Sequence, residues 1–274
     1  MKQWNRRKTM VLITAISLVF LVTVAIAGSM CTDAARATDF SRKNLMPCLQ
    51  YPFGTDWMGR DMFARTLKGL SLSVLIGTLA AAISAVIALV LGICAATLGR
   101  RTDGAITWVI DLIMGIPHML LLILISVAAG RGLKGVIIGV AFTHWTSLAR
   151  LIRAEVMQIK ESPYVKISQK LGKSRWYVAC RHMIPYLVPQ FAVGLVLLFP
   201  HAILHEASIT FLGFGLTSEQ PAIGIILSES MKYLVLGKWW LALFPGLALV
   251  VTVVMFYLLG ENLRKLIDPG SVHE

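Results

Sequence analysis

Residues 153–189 read RAEVMQIKESPYVKISQKLGKSRWYVACRHMIPYLVP and form the one long polar interruption in an otherwise apolar half of the chain. Ser162 followed by Pro163 is a helix start: a serine oxygen can cap a free backbone N–H, and proline at the first helical position sacrifices no hydrogen bond. A short helix is expected from Pro163 to about Leu171. Gly172 supplies the permissive backbone that ends it, and Ser174 caps a second helix running through Trp176, Tyr177 and Cys180 toward Pro185. Tyr164, Ile167 and Leu171 share one stripe of the first helix, while Lys166, Lys170 and Lys173 lie on others. Two readings fit such a segment: a piece that docks into a groove on a partner protein, or one that lies on lipid headgroups.

The sequence on either side limits the choice. Of 274 residues, 57% are hydrophobic and the mean hydropathy is +0.73, which places the chain in the membrane class as an all-α polytopic protein. The net charge of +12 does not point to nucleic acid, because the basic residues fall between apolar spans and form no stripe with interleaved aromatics. Membrane lipid is the expected surrounding. Cys31, Cys48, Cys94 and Cys180 have no metal-ligand spacing; Cys31 and Cys48 share one loop, where either free thiols or a bridge would fit.

About six transmembrane helices are expected. Lys2, Arg6, Arg7 and Lys8 precede an uncharged run from Thr9 to Gly28, read as a retained anchor rather than a cleaved signal peptide because of its length. A polar loop follows, in which Asp61 and Arg65 stand at the spacing of a helical ion pair. Gly69 to Gly99 is the second span, with Gly77, Gly92 and Ala80 to Ala82 allowing close helix approach. The third runs from about Ala105 to Ala129, interrupted chemically by Pro117-His118, with Asp111 expected near the interface. Gly135 to Ala149 forms most of the fourth, which continues past Arg150 and Arg153; Met183 to His205 is the fifth and Trp239 to Gly260 the last. The expected organisation is residues 1–68 as anchor and external loop, 69–260 as the transmembrane core with its polar loop at about 153–185, and 261–274 as a tail. With both termini on one side, sixteen of the 26 Lys and Arg residues fall on that side, which makes it cytoplasmic.

Several stretches, taken in order, resemble the permease subunits of the dipeptide, oligopeptide and nickel group of ABC importers. These are Phe53-Gly54-Thr55-Asp56 with Gly59-Arg60-Asp61, the frame from Gly172 to Pro185, Phe211-Leu212-Gly213 with Gly215, Pro245 to Ala248, and Leu266 to Pro269. The family's Glu-Ala-Ala is represented here by Lys166, Ile167 and Ser168, and Thr210 stands where serine is common. The resemblance implies a type I ABC importer permease fold in a bacterial or archaeal cytoplasmic membrane. It implies a second homologous permease, two cytoplasmic P-loop ATPase subunits and an external solute-binding protein as partners, and no cofactor. It also implies that Tyr164, Lys166, Ile167, Ser168, Leu171, Gly172, His182 and Pro185 couple the helices to the ATPase, with nickel, a metal chelate, or a di- or oligopeptide as the solute.

The residues themselves carry no hydrolytic machinery. There is no GxxxxGK[ST] phosphate loop, GxSxG or HExxH, so the chain is expected to be no enzyme and to draw its energy from a partner or a gradient. His201 and His205 stand four apart on the fifth span, with Glu206 adjacent; together with His144 they are candidates to line a pathway, against the alternative of helix–helix hydrogen bonding, and no metal site is assigned to them. A gradient-driven secondary transporter is the rival class. It would show inverted repeats, and none is visible.

Overall fold

The computed structural model describes residues 6–217 and 219–267. Lys2 of the basic flank, and Asp268 and Pro269 of the expected ending, lie outside the described residues. The elements in order are α1 (Arg6–Met30), α2 (Thr32–Arg36), α3 (Met62–Thr97), α4 (Arg100–Gly115), α5 (His118–Ala128), α6 (Leu133–Lys160), α7 (Pro163–Lys170), α8 (Arg175–Val178), α9 (Ile184–Phe211), α10 (Ile223–Leu234) and α11 (Trp240–Ile267). Helices α1, α3, α6, α9 and α11 are each long and apolar enough to cross a bilayer. Large apolar side chains such as Val19, Val86, Leu124 and Val250 point outward from the bundle, where lipid rather than water is the fitting neighbour.

Helix α3 is the hub, packing against α1, α4, α6, α9, α10 and α11. Its buried face carries Ala80, Ala81, Ala85 and Ala88, so neighbouring backbones come close. A methyl group placed on Gly92 would stand 2.9 Å from the Ala149 carbonyl oxygen of α6, and one on Gly77 would stand 2.5 Å from the Ile203 side chain of α9. The expected small-residue contacts are thus the contacts of the bundle.

The expected third span is not one continuous helix. Helices α4 and α5 meet at 100° across Ile116 and Pro117. Proline lacks the N–H that would continue the ladder and pushes the preceding residue to extended backbone, and Ile116 sits at φ −88°, ψ 137°. Asp111 is exposed and pairs with Arg150 at 2.6 Å, while Asp103 takes both arms of Arg153, so α4 is tied to α6 by two ion pairs.

The loop before α3 is a carboxylate-centred knot. Asp56, fully buried, accepts from the amides of Met58 (2.8 Å) and Arg60 (2.9 Å), from Arg60 Nε (2.7 Å) and from Arg65 Nη1 (2.6 Å). Arg65 also reaches Glu229 of α10 at 3.0 Å, and Trp57 lies beside both arginines and stacks on Tyr233. The pair expected from spacing, Asp61 with Arg65, does not form. Asp61 caps α3 instead, accepting from the Phe63 amide at 2.8 Å, which is why the helix begins at Met62 rather than near Gly69. Cys31 and Cys48 are both free thiols.

The two aspartates of this loop therefore differ in weight. Asp56→Ala takes from buried Arg65 its nearer counter-charge, leaves it Glu229 alone, and strands the amides of Met58 and Arg60; it should cost about 3 kcal/mol, whereas Asp61→Ala loses one cap at about 1 kcal/mol. Denaturant unfolding of the detergent-solubilised variants measures both; equal losses would mean that Asp56 does not hold the knot.

Candidate coupling surface and histidine cluster

Between α6 and α9 the chain makes the expected helix-glycine-helix. Helix α7 spans Pro163–Lys170, Gly172 adopts φ +74°, and Ser174 Oγ accepts from the Tyr177 amide at 3.1 Å to cap α8. Ser162 takes the extended backbone of a cap residue, but its hydroxyl donates backward to the Ile159 carbonyl at 2.5 Å, so the serine oxygen does not cap α7. Beyond α8 the residues Ala179–Met183 form a π-helical turn that leads straight into α9, with Pro185 in the first turn of that helix.

The segment has two faces. Val165, Val178 and Met183 are buried in the main core, and Ser168, also buried, lies 3.3 Å through Oγ from His182 Nε2, which joins α7 to the π turn. Tyr164 and Tyr177 flank the same imidazole. On the other face Tyr164, Ile167, Leu171 and Trp176 are exposed, Leu171 at 72% and Trp176 at 77%. Lys166 is bound to Glu161 at 2.7 Å, and this contact holds the Glu161 carboxyl below the usual carboxylate range. Of the sequence-derived set, Tyr164, Ile167 and Leu171 face outward, while Ser168 and His182 brace the segment from behind.

The second constellation lies within the bundle. His118 at the start of α5, His144 in α6 and His205 in α9 bring one ring nitrogen each to within 4.8 Å of one another. His144 Nε2 is 2.9 Å from His205 Nδ1, and the three ring centroids are separated by 4.6 to 4.8 Å. His144 Nδ1 stands 2.9 Å from the Val140 carbonyl, which can only accept; that nitrogen therefore carries the hydrogen and Nε2 is left bare. His201, one turn before His205, is exposed and outside this group. Glu206 is fully buried and accepts from Thr210 Oγ1 at 3.0 Å, and it too lies outside the group. Helical spacing thus pairs His205 with His201, whereas the fold pairs it with His144 and His118. The bend at Pro117 is what delivers His118.

Residues 88–272 match the family model described as "Binding-protein-dependent transport system inner membrane component". The chain is 31% identical over 269 residues to the dipeptide transport system permease protein DppC of Bacillus subtilis, covering 97% of this chain and 84% of that protein. It is 30% identical to the probable D,D-dipeptide transport system permease protein DdpC of Escherichia coli, covering 98% and 90%. It is 33% identical to the glutathione transport system permease protein GsiD of an E. coli strain, covering 96% and 88%. Among solved structures, the inward-facing MetNI methionine ABC transporter matches with a TM-score of 0.63 at 14% identity, over 76% of this chain and 98% of that one, a likeness of fold. The chain belongs to the family of binding-protein-dependent transport system inner membrane components, and is a multi-pass ABC importer permease rather than an enzyme.

Proposed function

We propose that the chain forms half of the translocation pathway of an ATP-driven importer and that α7, Gly172 and α8 transmit the motion of the ATPase to it. The observation that carries this reading is the two-faced loop. Tyr164, Ile167, Leu171 and Trp176 are bare on the outside, while Val165, Val178 and Met183 lock the inner face to the core. A surface that is apolar, exposed and rigidly backed suits a protein groove better than the lipid headgroup layer. The partners in this reading are a second, homologous permease, two P-loop ATPases and an external solute-binding protein, with both termini in the cytoplasm. ATP binding would close the ATPases and draw the coupling helices together, opening the pathway outward; hydrolysis would reset it. This is a two-state element biased by a ligand bound at a distance.

For the solute, the names of the relatives support the peptide class, and the histidine cluster favours nickel or a metal chelate. Neutral imidazole is a common transition-metal ligand, and the described cluster contains no carboxylate to grip a peptide's amino terminus.

A methyl group on Gly172 would meet nothing within 4 Å, so the cost of substitution there is backbone strain at φ +74° and not collision. Gly172→Val should therefore cut uptake at least about tenfold while membrane insertion is retained and ATP hydrolysis persists, and Gly172→Asn, which tolerates positive φ, should recover most of the uptake. Uptake and ATPase assays on reconstituted complexes check this; equal transport by the Val variant would sink the reading. Leu171→Asp should separately abolish co-purification of the ATPase, read by mass spectrometry of the tagged chain's partners.

A further inference from the structure

Three buried or half-buried imidazoles on three different helices underlie the metal reading of the solute, and their geometry deepens it. We infer that His118, His144 and His205 form a coordination site for a divalent transition-metal ion of the imidazole-preferring kind, such as Ni²⁺ or Zn²⁺, taken up as cargo. The inference concerns the metal chemistry of this chain and stands whether or not α7 and α8 engage an ATPase.

Four observations carry it. Each residue presents one ring nitrogen within 4.8 Å of the others, and metal–nitrogen bonds of ~2.0–2.1 Å in tetrahedral geometry need nitrogens about 3.4 Å apart. Small rotations of the rings bridge that difference: the His144–His205 contact, at 2.9 Å, opens as His205 shifts its hydrogen from Nδ1 to Nε2 and frees Nδ1 to ligate, while His118 closes in. His144 is already oriented as metal-binding histidines are, its Nδ1–H donating to the Val140 carbonyl and standing 3.0 Å from Thr143 Oγ1, with Nε2 turned into the group. His118 Nε2 is buried with no hydrogen-bond partner, a polar atom whose desolvation nothing in the fold offsets. And the described group contains no carboxylate or thiol, so its donors are neutral nitrogens, which suit Ni²⁺, Cu²⁺ or Zn²⁺ and disfavour Mg²⁺ or Ca²⁺.

The donor count also defines the cargo. Three neutral imidazoles bring no negative charge, and a bare dication among apolar helices is costly. The ion would therefore retain anionic ligands of its own, and three protein donors leave it positions for them. Position in the chain adds a consequence. His144 and His205 lie on α6 and α9, the two helices that the coupling segment joins, so one ion would bind both arms of that segment at once.

The test uses the full chain in lipid nanodiscs, with an affinity tag that contains no histidine. Equilibrium binding of Ni²⁺ and of Zn²⁺ should show a saturable site at micromolar metal. His118→Ala, His144→Ala and His205→Ala should each weaken it at least about tenfold, and His201→Ala and His182→Ala should leave it unchanged. X-ray absorption on the unaltered, Ni²⁺-loaded chain should show the outer-shell scattering of imidazole rings, a readout that holds even where a variant fails to fold. Metal bound without imidazole scattering, equal losses from His201→Ala, or no saturable binding would each overturn the site. None of those results would touch the ATPase reading, which rests on uptake and co-purification.

Discussion

The close approach of α3 to α6 and α9 is the constraint on which the rest of the structure depends. It rests on glycine and alanine where larger side chains would hold the helices apart: Gly92 faces the α6 backbone at Ala149, and Gly77 faces Ile203 of α9. In a bilayer, lipid tails are as apolar as leucine, so such contacts associate helices through packing and not through hydrophobic exclusion. Both helices that flank the loop at 161–183 lean on the same helix, α9 at Gly77 near its middle and α6 at Gly92 toward its end.

Against this rigid centre, two features give the bundle its irregularity. Pro117 turns what composition reads as one span into two helices at 100°, and the two ion pairs from Asp103 and Asp111 to α6 fix the first of them. At the start of α3, the Asp56 carboxylate gathers two amides and two guanidinium groups, which anchors the loop before α3 to the hub helix and, through Arg65 and Glu229, to α10. A buried ion pair contributes little net stability compared with apolar packing, but it is strongly directional. Here it selects one docking of loop against helices.

What was legible in the sequence was local or periodic. The apolar runs, the Ser162-Pro163 start, the turn at Gly172 and the cap at Ser174 are all decided by residues within a few positions of one another, and each stands as the sequence implies, apart from the third run, which breaks at Pro117, and the Ser162 hydroxyl, which turns back to Ile159. What failed was partner choice at fixed spacing. Asp61 and Arg65 are four apart, but a cap on Phe63 satisfies Asp61 locally, while Arg65 points inward to Asp56 and Glu229. His201 and His205 are also four apart, on one helix face; His205 meets His144 of α6 at 2.9 Å, the helix–helix contact that stands as the alternative to pathway lining, from a residue 61 positions away in sequence. A one-dimensional pattern counts neighbours on a helix face; it does not say which face another helix will cover. The helix-glycine-helix was readable because it is one continuous stretch. Which histidines meet was not, because His118 arrives through the bend at Pro117.

The same geometry joins the two candidate sites mechanically. From His144 to the end of α6 at Lys160 is about 24 Å of unbroken helix at ~1.5 Å per residue. The return path into α9 passes through the π turn at Ala179–Met183. π turns carry the looser hydrogen bonding often found where helices must adjust. The contact of Ser168 with His182 crosses that turn and ties α7 to it, so the segment is stiff on the α6 side and adjustable where it enters α9. A force applied to Ile167 and Leu171 would therefore pass along α6 with little loss and change the angle of α9 at the π turn. His205 lies on α9 and His144 on α6, so that change of angle would alter the distance between two of the three imidazoles.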